Sequence, residues 1–133
     1  MNNASTVSRS RSLIGLVAGA FLVLSSAAHS LLGWKELSAE LAKVQATPDL
    51  IHNLGIGWHF GGAAMLTFGS IALWTFWQTW QGHAVSLAPT GLIALLYVAF
   101  GVWALASSGN PFFLIFIIPG LMMGFASLPQ RAA

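Results

Sequence analysis

Apolar positions run almost unbroken through four stretches, Leu13–Leu32, Leu54–Trp77, Leu87–Ala106 and Phe112–Leu128, with short polar or charged segments between them. About 20 apolar residues suffice for a helix to cross the hydrocarbon region of a bilayer. The stretches lack the apolar/polar alternation of barrel strands. In lipid every backbone polar group must be satisfied internally, which then leaves helices. The pattern therefore predicts an all-α integral membrane protein, a four-transmembrane-helix antiparallel bundle with spans at about 13–32, 54–77, 87–106 and 112–128. The short second and third connections make antiparallel neighbours the simplest arrangement. A single transmembrane domain, 13–128, would lie between a flexible polar N-terminus, 1–12, and a short tail, 129–133.

The segments between spans refine this picture. Residues 33–47, GWKELSAELAKVQAT, are the most charged part of the chain, with Leu37, Leu41 and Val44 on one face and Glu36, Glu40 and Lys43 along another. They read as an amphipathic interfacial loop helix between spans 1 and 2, or as a water-exposed extension of helix 1. Thr47-Pro48-Asp49 then combines an N-cap residue, a proline for the first turn and an acidic residue near the helix N-terminus. A second long helix is thus expected from about Pro48 to Gln81. Trp74, Trp77 and Trp80 near one end and Trp58 near the other resemble aromatic belts. Asn110 and Pro111 are expected to start span 4, and Pro119 to kink it. A rival reading of the N-terminus is a signal peptide, with Arg9 and Arg11 before an apolar core and a cleavage at His29.

Composition agrees with the pattern: 56% of residues are hydrophobic and 6% charged, and the mean hydropathy is +0.77. So few charges cannot keep such a surface in water, and lipid is the expected surrounding. The net charge of +2 comes from five basic and three acidic residues. These form no basic patch, and nucleic acid is excluded as a partner. Arg9, Arg11 and Arg131 fall on one side of the predicted bundle, Lys35 and Lys43 on the other. The positive-inside tendency then puts both termini in the cytoplasm of a bacterial-type inner (plasma) membrane. The absence of cysteine removes disulfides, thiolate metal sites and cysteine nucleophiles.

Small residues four apart recur as Gly15/Gly19, Gly57/Gly61 and Gly120/Gly124. Such pairs allow close helix contact within one bundle, within a homo-oligomer or within a larger membrane complex. The chemically informative residues are the histidines. His29 lies near the end of span 1 and His59 near the start of span 2, at similar depth below one predicted membrane face. The stripes Gly15–Ala18–Leu22–Ser25–His29 and His59–Ala63–Thr67–Ser70–Trp74 are small and polar, and are expected to face the interior. His29 and His59 would then bind a cofactor. A b-type haem would find flat apolar walls in Phe21, Trp58 and Phe60, and would be held non-covalently, because no CxxCH occurs. A single transition metal would draw its ligands from His29, His52, His59, Glu36, Glu40 and Asp49. A quinone-like ligand would take a hydrogen bond from histidine.

Plain structural roles compete with each of these. A histidine near the interface often only bonds a backbone carbonyl of the next helix. Glu36 and Glu40 suit a solvated face, and His83 a surface turn. Tyr97, near the middle of span 3, needs a partner for its hydroxyl, either on a neighbouring helix or on a ligand. No HExxH or GxSxG motif is present, so no catalytic residue is assigned. The expected function is a small membrane protein binding a cofactor. The alternatives are a non-catalytic accessory or interaction subunit and a small transporter. No span carries an acidic residue or an arginine, which argues against carboxylate-driven export and against binding of phosphate or nucleotide within the bundle.

Overall fold

The structure is a computed structural model that describes residues 7–128; Arg131 and the tail lie outside the described residues. All regular structure is helical: α1 (Arg9–Ala28), a π-helical turn (His29–Gly33), α2 (Trp34–Lys43), α3 (Pro48–Trp80), α4 (Ala88–Ser108), a 3-10 turn (Pro111–Phe113) and α5 (Leu114–Ser127). Among the described residues three helices are long and apolar enough to cross a membrane, Arg9–Lys43, Pro48–Trp80 and Ala88–Ser108. The chain is thus an all-α, multi-pass helical bundle.

The fourth apolar stretch is shorter than expected of a span. Its α-helix has 14 residues, about 21 Å at 1.5 Å per residue, against a hydrocarbon thickness of about 30 Å. The shortening has a local cause. The Asn110 side chain accepts from the Phe112 N–H at 2.9 Å, and the first turn after Pro111 winds as a 3-10 helix. The helix runs on through Pro119, which is buried.

The start of α3 follows its sequence signals. Thr47 Oγ1 accepts from the Leu50 N–H at 3.3 Å, Pro48 is the first helical residue and Asp49 sits in the first turn. The charged segment differs from a separate loop helix. Nothing between Ala28 and Trp34 breaks the run, since Gly33 itself is helical (φ −62°, ψ −40°). α1, the π turn and α2 therefore form one helical rod of 35 residues. The rod begins at Arg9, so part of the N-terminal segment is ordered, and Ser12 is fully buried.

Chain direction alternates, but the packing order is not the chain order. α1 packs along α3 and α5, and α4 along α5, whereas α3 and α4 meet at few positions although a short turn joins them. The core holds Ala18 and Leu22 of α1, Ala72 and Phe76 of α3, Ala94 and Tyr97 of α4, and Met123 and Ala126 of α5. A cleavage at His29 would remove the α1 part of that core.

Hydroxyls join the helices: Ser12 to Thr79 at 2.8 Å, Ser26 to the Gly62 carbonyl at 2.8 Å and Thr90 to Ser127 at 2.8 Å. Each such bond within a membrane contributes about 0.6 kcal/mol on average. At the Arg-bearing end, the Arg11 guanidinium donates to Phe125 O and Leu128 O, and lies over the Phe125 ring at 5.3 Å. Arg11 thus caps the carbonyls at the end of α5, adding to the Leu128 N–H bond that Phe125 O already accepts.

The glycine spacing serves this packing only in part. A Cβ on Gly15 would enter the Phe76 ring, and one on Gly19 would lie 3.0 Å from Leu73 N. One on Gly120 would lie 2.9 Å from Val98. These spaces are filled by the chain's own helices. Gly57 has open space around it, and Gly61 meets only His29.

Candidate functional site

The site is built at the break in the first rod. In the π turn, Trp34 N–H reaches back five residues to His29 O. Such a wide turn shifts the register of the side chains that follow it, and π turns concentrate at functional positions. The rod passes very close to α3 here. A Cβ on Gly33 would stand 2.9 Å from the Trp58 ring, and the Ser30 hydroxyl occupies the space a Cβ on Gly62 would need.

His29 and Trp58 lock this crossing. The indole Nε1–H donates to His29 O at 2.7 Å, and His29 Nε2 lies 3.1 Å from Trp58 O. The two rings stack with centroids 4.2 Å apart and planes 5° from parallel. A carbonyl oxygen only accepts, so Nε2 carries the proton, and the Nδ1 of the neutral ring remains an acceptor. Among the described residues no hydrogen bond reaches Nδ1. A haem or metal held by His29 would have to bind at that nitrogen. Trp58→Phe should keep the stack, lose the Nε1–H bond and lower stability by about 1 kcal/mol, read as an earlier unfolding midpoint in mixed detergent micelles.

Beside this lock lies a chamber of about 410 Å³. Its walls are Phe21 and Leu22 of α1, His29, Trp58 and Met65 of α3, Tyr97 of α4, and Phe112 and Phe116 at the α5 end, with Glu36 of α2 on its border. A second cavity of about 280 Å³ adjoins it between α3 and α4, and the two share His29, Met65, Tyr97 and Phe116. The Tyr97 hydroxyl is buried and has no hydrogen-bond partner among the described residues. Its ring packs against Phe68 and Phe116.

The other sequence-predicted residues are dispersed. His59 and His52 are exposed and line a separate open groove with Trp34 and Gly55, and the His59 ring lies 5.7 Å from that of Trp34. His29 and His59 thus border different cavities. Glu40 pairs with Lys43 at 2.6 Å, both well exposed. Asp49 is exposed at the start of α3. Among the described residues no group of three or more His, Cys, Asp or Glu side chains is placed to hold a metal ion. His83 is exposed and bonds Gln78 Oε1 at 2.8 Å.

Two readings of helix faces divide. On α1, Gly15, Ala18 and Leu22 are buried as expected, with Ser26 beside them. On α3 the expected inner stripe is the outer one: His59, Ala63, Thr67 and Ser70 are exposed, as is Trp74 at 61%. The buried face is Gly55, Gly62, Gly69 and Phe76, spaced by seven. Thr67 and Ser70 need no interior partner, because each hydroxyl bonds the carbonyl four residues back, at 2.9 and 2.8 Å. That arrangement is common for hydroxyls within helices.

Trp58, read as a belt residue and as a flat wall for a haem, lines the chamber, but its two bonds with His29 are what sequence reasoning missed. Their nearest signal was Gly62 one turn on, where the Ser30 side chain takes the space of a Cβ. The fold and the chamber define a class, a small helical membrane protein with an apolar cavity beside a histidine. No family model, curated protein or solved structure matches the chain significantly.

Proposed function

We propose that this chain is a four-span protein of a bacterial-type inner (plasma) membrane that binds a quinone-like molecule in the His29 chamber. The spans are the three long helices and Pro111–Ser127. The contact of Arg11 with Phe125 O and Leu128 O supports an even number of crossings, because it holds the start of α1 beside the end of α5. Arg9 and Arg11 assign that end to the cytoplasm, and α2, with Lys35 and Lys43, extends toward the outer face.

One observation carries the ligand assignment. An apolar chamber of about 410 Å³, within the range of small-molecule sites, is lined by His29, whose Nδ1 makes no hydrogen bond among the described residues, by Ser25 and Glu36, and by a tyrosine whose buried hydroxyl lacks a partner among them. Buried polar groups are rarely left unsatisfied. A flat ring with a carbonyl oxygen would accept from Tyr97, and a ring hydroxyl, as in a quinol, would donate to His29 Nδ1. Reaching the Tyr97 hydroxyl takes a local adjustment of the chamber wall on binding. Haem and metal are less well supported, since His29 and His59 border different cavities and, among the described residues, no group of three or more donors is placed to hold an ion. No particular observation favours the accessory-subunit or transporter readings.

The test is a titration of the full chain in lipid nanodiscs with a tail-less dimethoxy-methyl-benzoquinone, followed by quenching of tryptophan fluorescence. Trp58 lines the chamber and should report occupancy. Saturable one-to-one quenching, weakened when Met65→Trp fills the chamber, is expected. Quenching that rises linearly with quinone and ignores Met65→Trp would mean partition into lipid and would end this reading.

A further inference from the structure

We propose that the ligand carries a long apolar tail and that the cleft between α3 and α4 is the passage through which that tail reaches the bilayer. This rests on the reading of the chamber as a quinone-type site and specifies its ligand class.

The chamber does not end at Tyr97. The adjoining cavity of about 280 Å³ continues past His29, Met65, Tyr97 and Phe116 and is bounded by Gly61 and Ala64 of α3 and by Leu96 and Phe100 of α4. His29 and Tyr97 are its only polar wall residues, and both also border the chamber. A polar molecule would find nothing to bond along the rest of it. The rim is open to the surroundings, with Leu96 51% and Phe100 43% exposed.

The opening follows from how the bundle is put together. α3 and α4 are consecutive helices joined by a short turn, yet they pack sparsely, because α1 and α5 take the interior contacts of each. At the seam α3 presents small residues. A Cβ on Gly61 would meet only His29 Nε2, at 3.4 Å, in contrast to Gly69, whose Cβ would lie 2.9 Å from Val23 N. Gly61 is therefore not a packing glycine of the α1–α3 interface. It keeps the cleft clear next to the histidine. A head held by His29 and Tyr97 would leave its substituent facing this cleft, and a chain of methylenes or isoprene units is the group that such walls accommodate. Burial of each methylene strengthens binding.

The experiment compares, in the same nanodiscs, the tail-less benzoquinone with its decyl-tailed analogue on wild type and on Ala64→Leu and Leu96→Trp. Ala64 and Leu96 border the cleft and not the chamber, so both variants narrow the cleft and leave the chamber walls in place. The tailed analogue should lose affinity at least about tenfold, the equivalent of about two buried methylenes, while the tail-less ring is held about as well as by wild type. A decyl analogue with a diazirine at the tail end should label residues 61–68 or 96–100 of wild type, which holds the question open to test even where a variant misfolds. If tailed and tail-less ligands respond alike to the variants, or the label falls elsewhere, the passage is wrong although the chamber stands. If the tail-less ring does not bind wild type, the chamber reading itself has failed.

Discussion

Gly69→Ala should destabilise the bundle by about 1–3 kcal/mol, the usual cost of overpacking a filled interface, whereas Gly57→Ala on the same helix should be neutral or stabilising. At Gly69 an added Cβ would stand 2.9 Å from Val23 N and 3.0 Å from Gly19 O. Both are backbone atoms of α1, so no side chain can turn away; α1 and α3 would have to separate. Separation would also lengthen the bonds from Ser12 to Thr79 and from Ser26 to Gly62 O, both 2.8 Å. At Gly57 nothing lies within 4 Å, and alanine is the better helix former by up to about 1 kcal/mol. Unfolding of both variants by increasing SDS in mixed micelles reads the contrast. Equal midpoints for the two would show that the α1–α3 interface is not held by glycine contact.

Such a contrast was only half visible in the sequence. Gly15 and Gly19 could be placed on the inner face of α1, because Ala18 and Leu22 share it. The ends of α3 and of the last helical segment were also visible, since Thr47-Pro48-Asp49 and Asn110-Pro111 act through local bonds that a few consecutive residues determine. The inner face of α3 was not. Hydropathy weighs side chains, and the glycines that define this face have none. The hydroxyls of Thr67 and Ser70 pointed the other way, although each is satisfied within its own helix turn. A polar residue in a membrane helix marks the interior only when its own backbone cannot satisfy it.

The same reason hid most of the site. The π turn adds one residue to an already continuous helical run, so periodicity either side of it barely changes. The bonds between His29 and Trp58 end on main-chain carbonyls, which any residue possesses, and so no motif records them. Histidines at matched depth suggested His29 facing His59. Depth follows from position along the helix, but facing depends on rotation about it. Trp58 precedes His59 by one residue, about 100° round the helix, and it is Trp58 that meets His29. The need of Tyr97 for a partner, by contrast, could be read directly from a hydroxyl in the middle of an apolar span. Among the described residues the structure supplies none.

Tyr97→Phe should therefore have effects of opposite sign on stability and on binding. Without ligand, the hydroxyl is buried and unbonded among the described residues, a state that costs about 1–3 kcal/mol for a polar group. Phenylalanine keeps the ring contacts with Phe68 and Phe116 and removes that cost, so the ligand-free protein should resist SDS better by about 1 kcal/mol or more. Binding of the tail-less benzoquinone should weaken by about tenfold, as expected for loss of one buried hydrogen bond of about 1.4 kcal/mol. Most substitutions that weaken a ligand do so by loosening the fold that holds it; here the fold tightens while the ligand is lost. A less stable Tyr97→Phe protein would mean that the hydroxyl already has a partner within the bundle. A more stable one that binds the quinone as before would show that Tyr97 does not hold the ligand and would leave the polar contact to His29, Ser25 or Glu36.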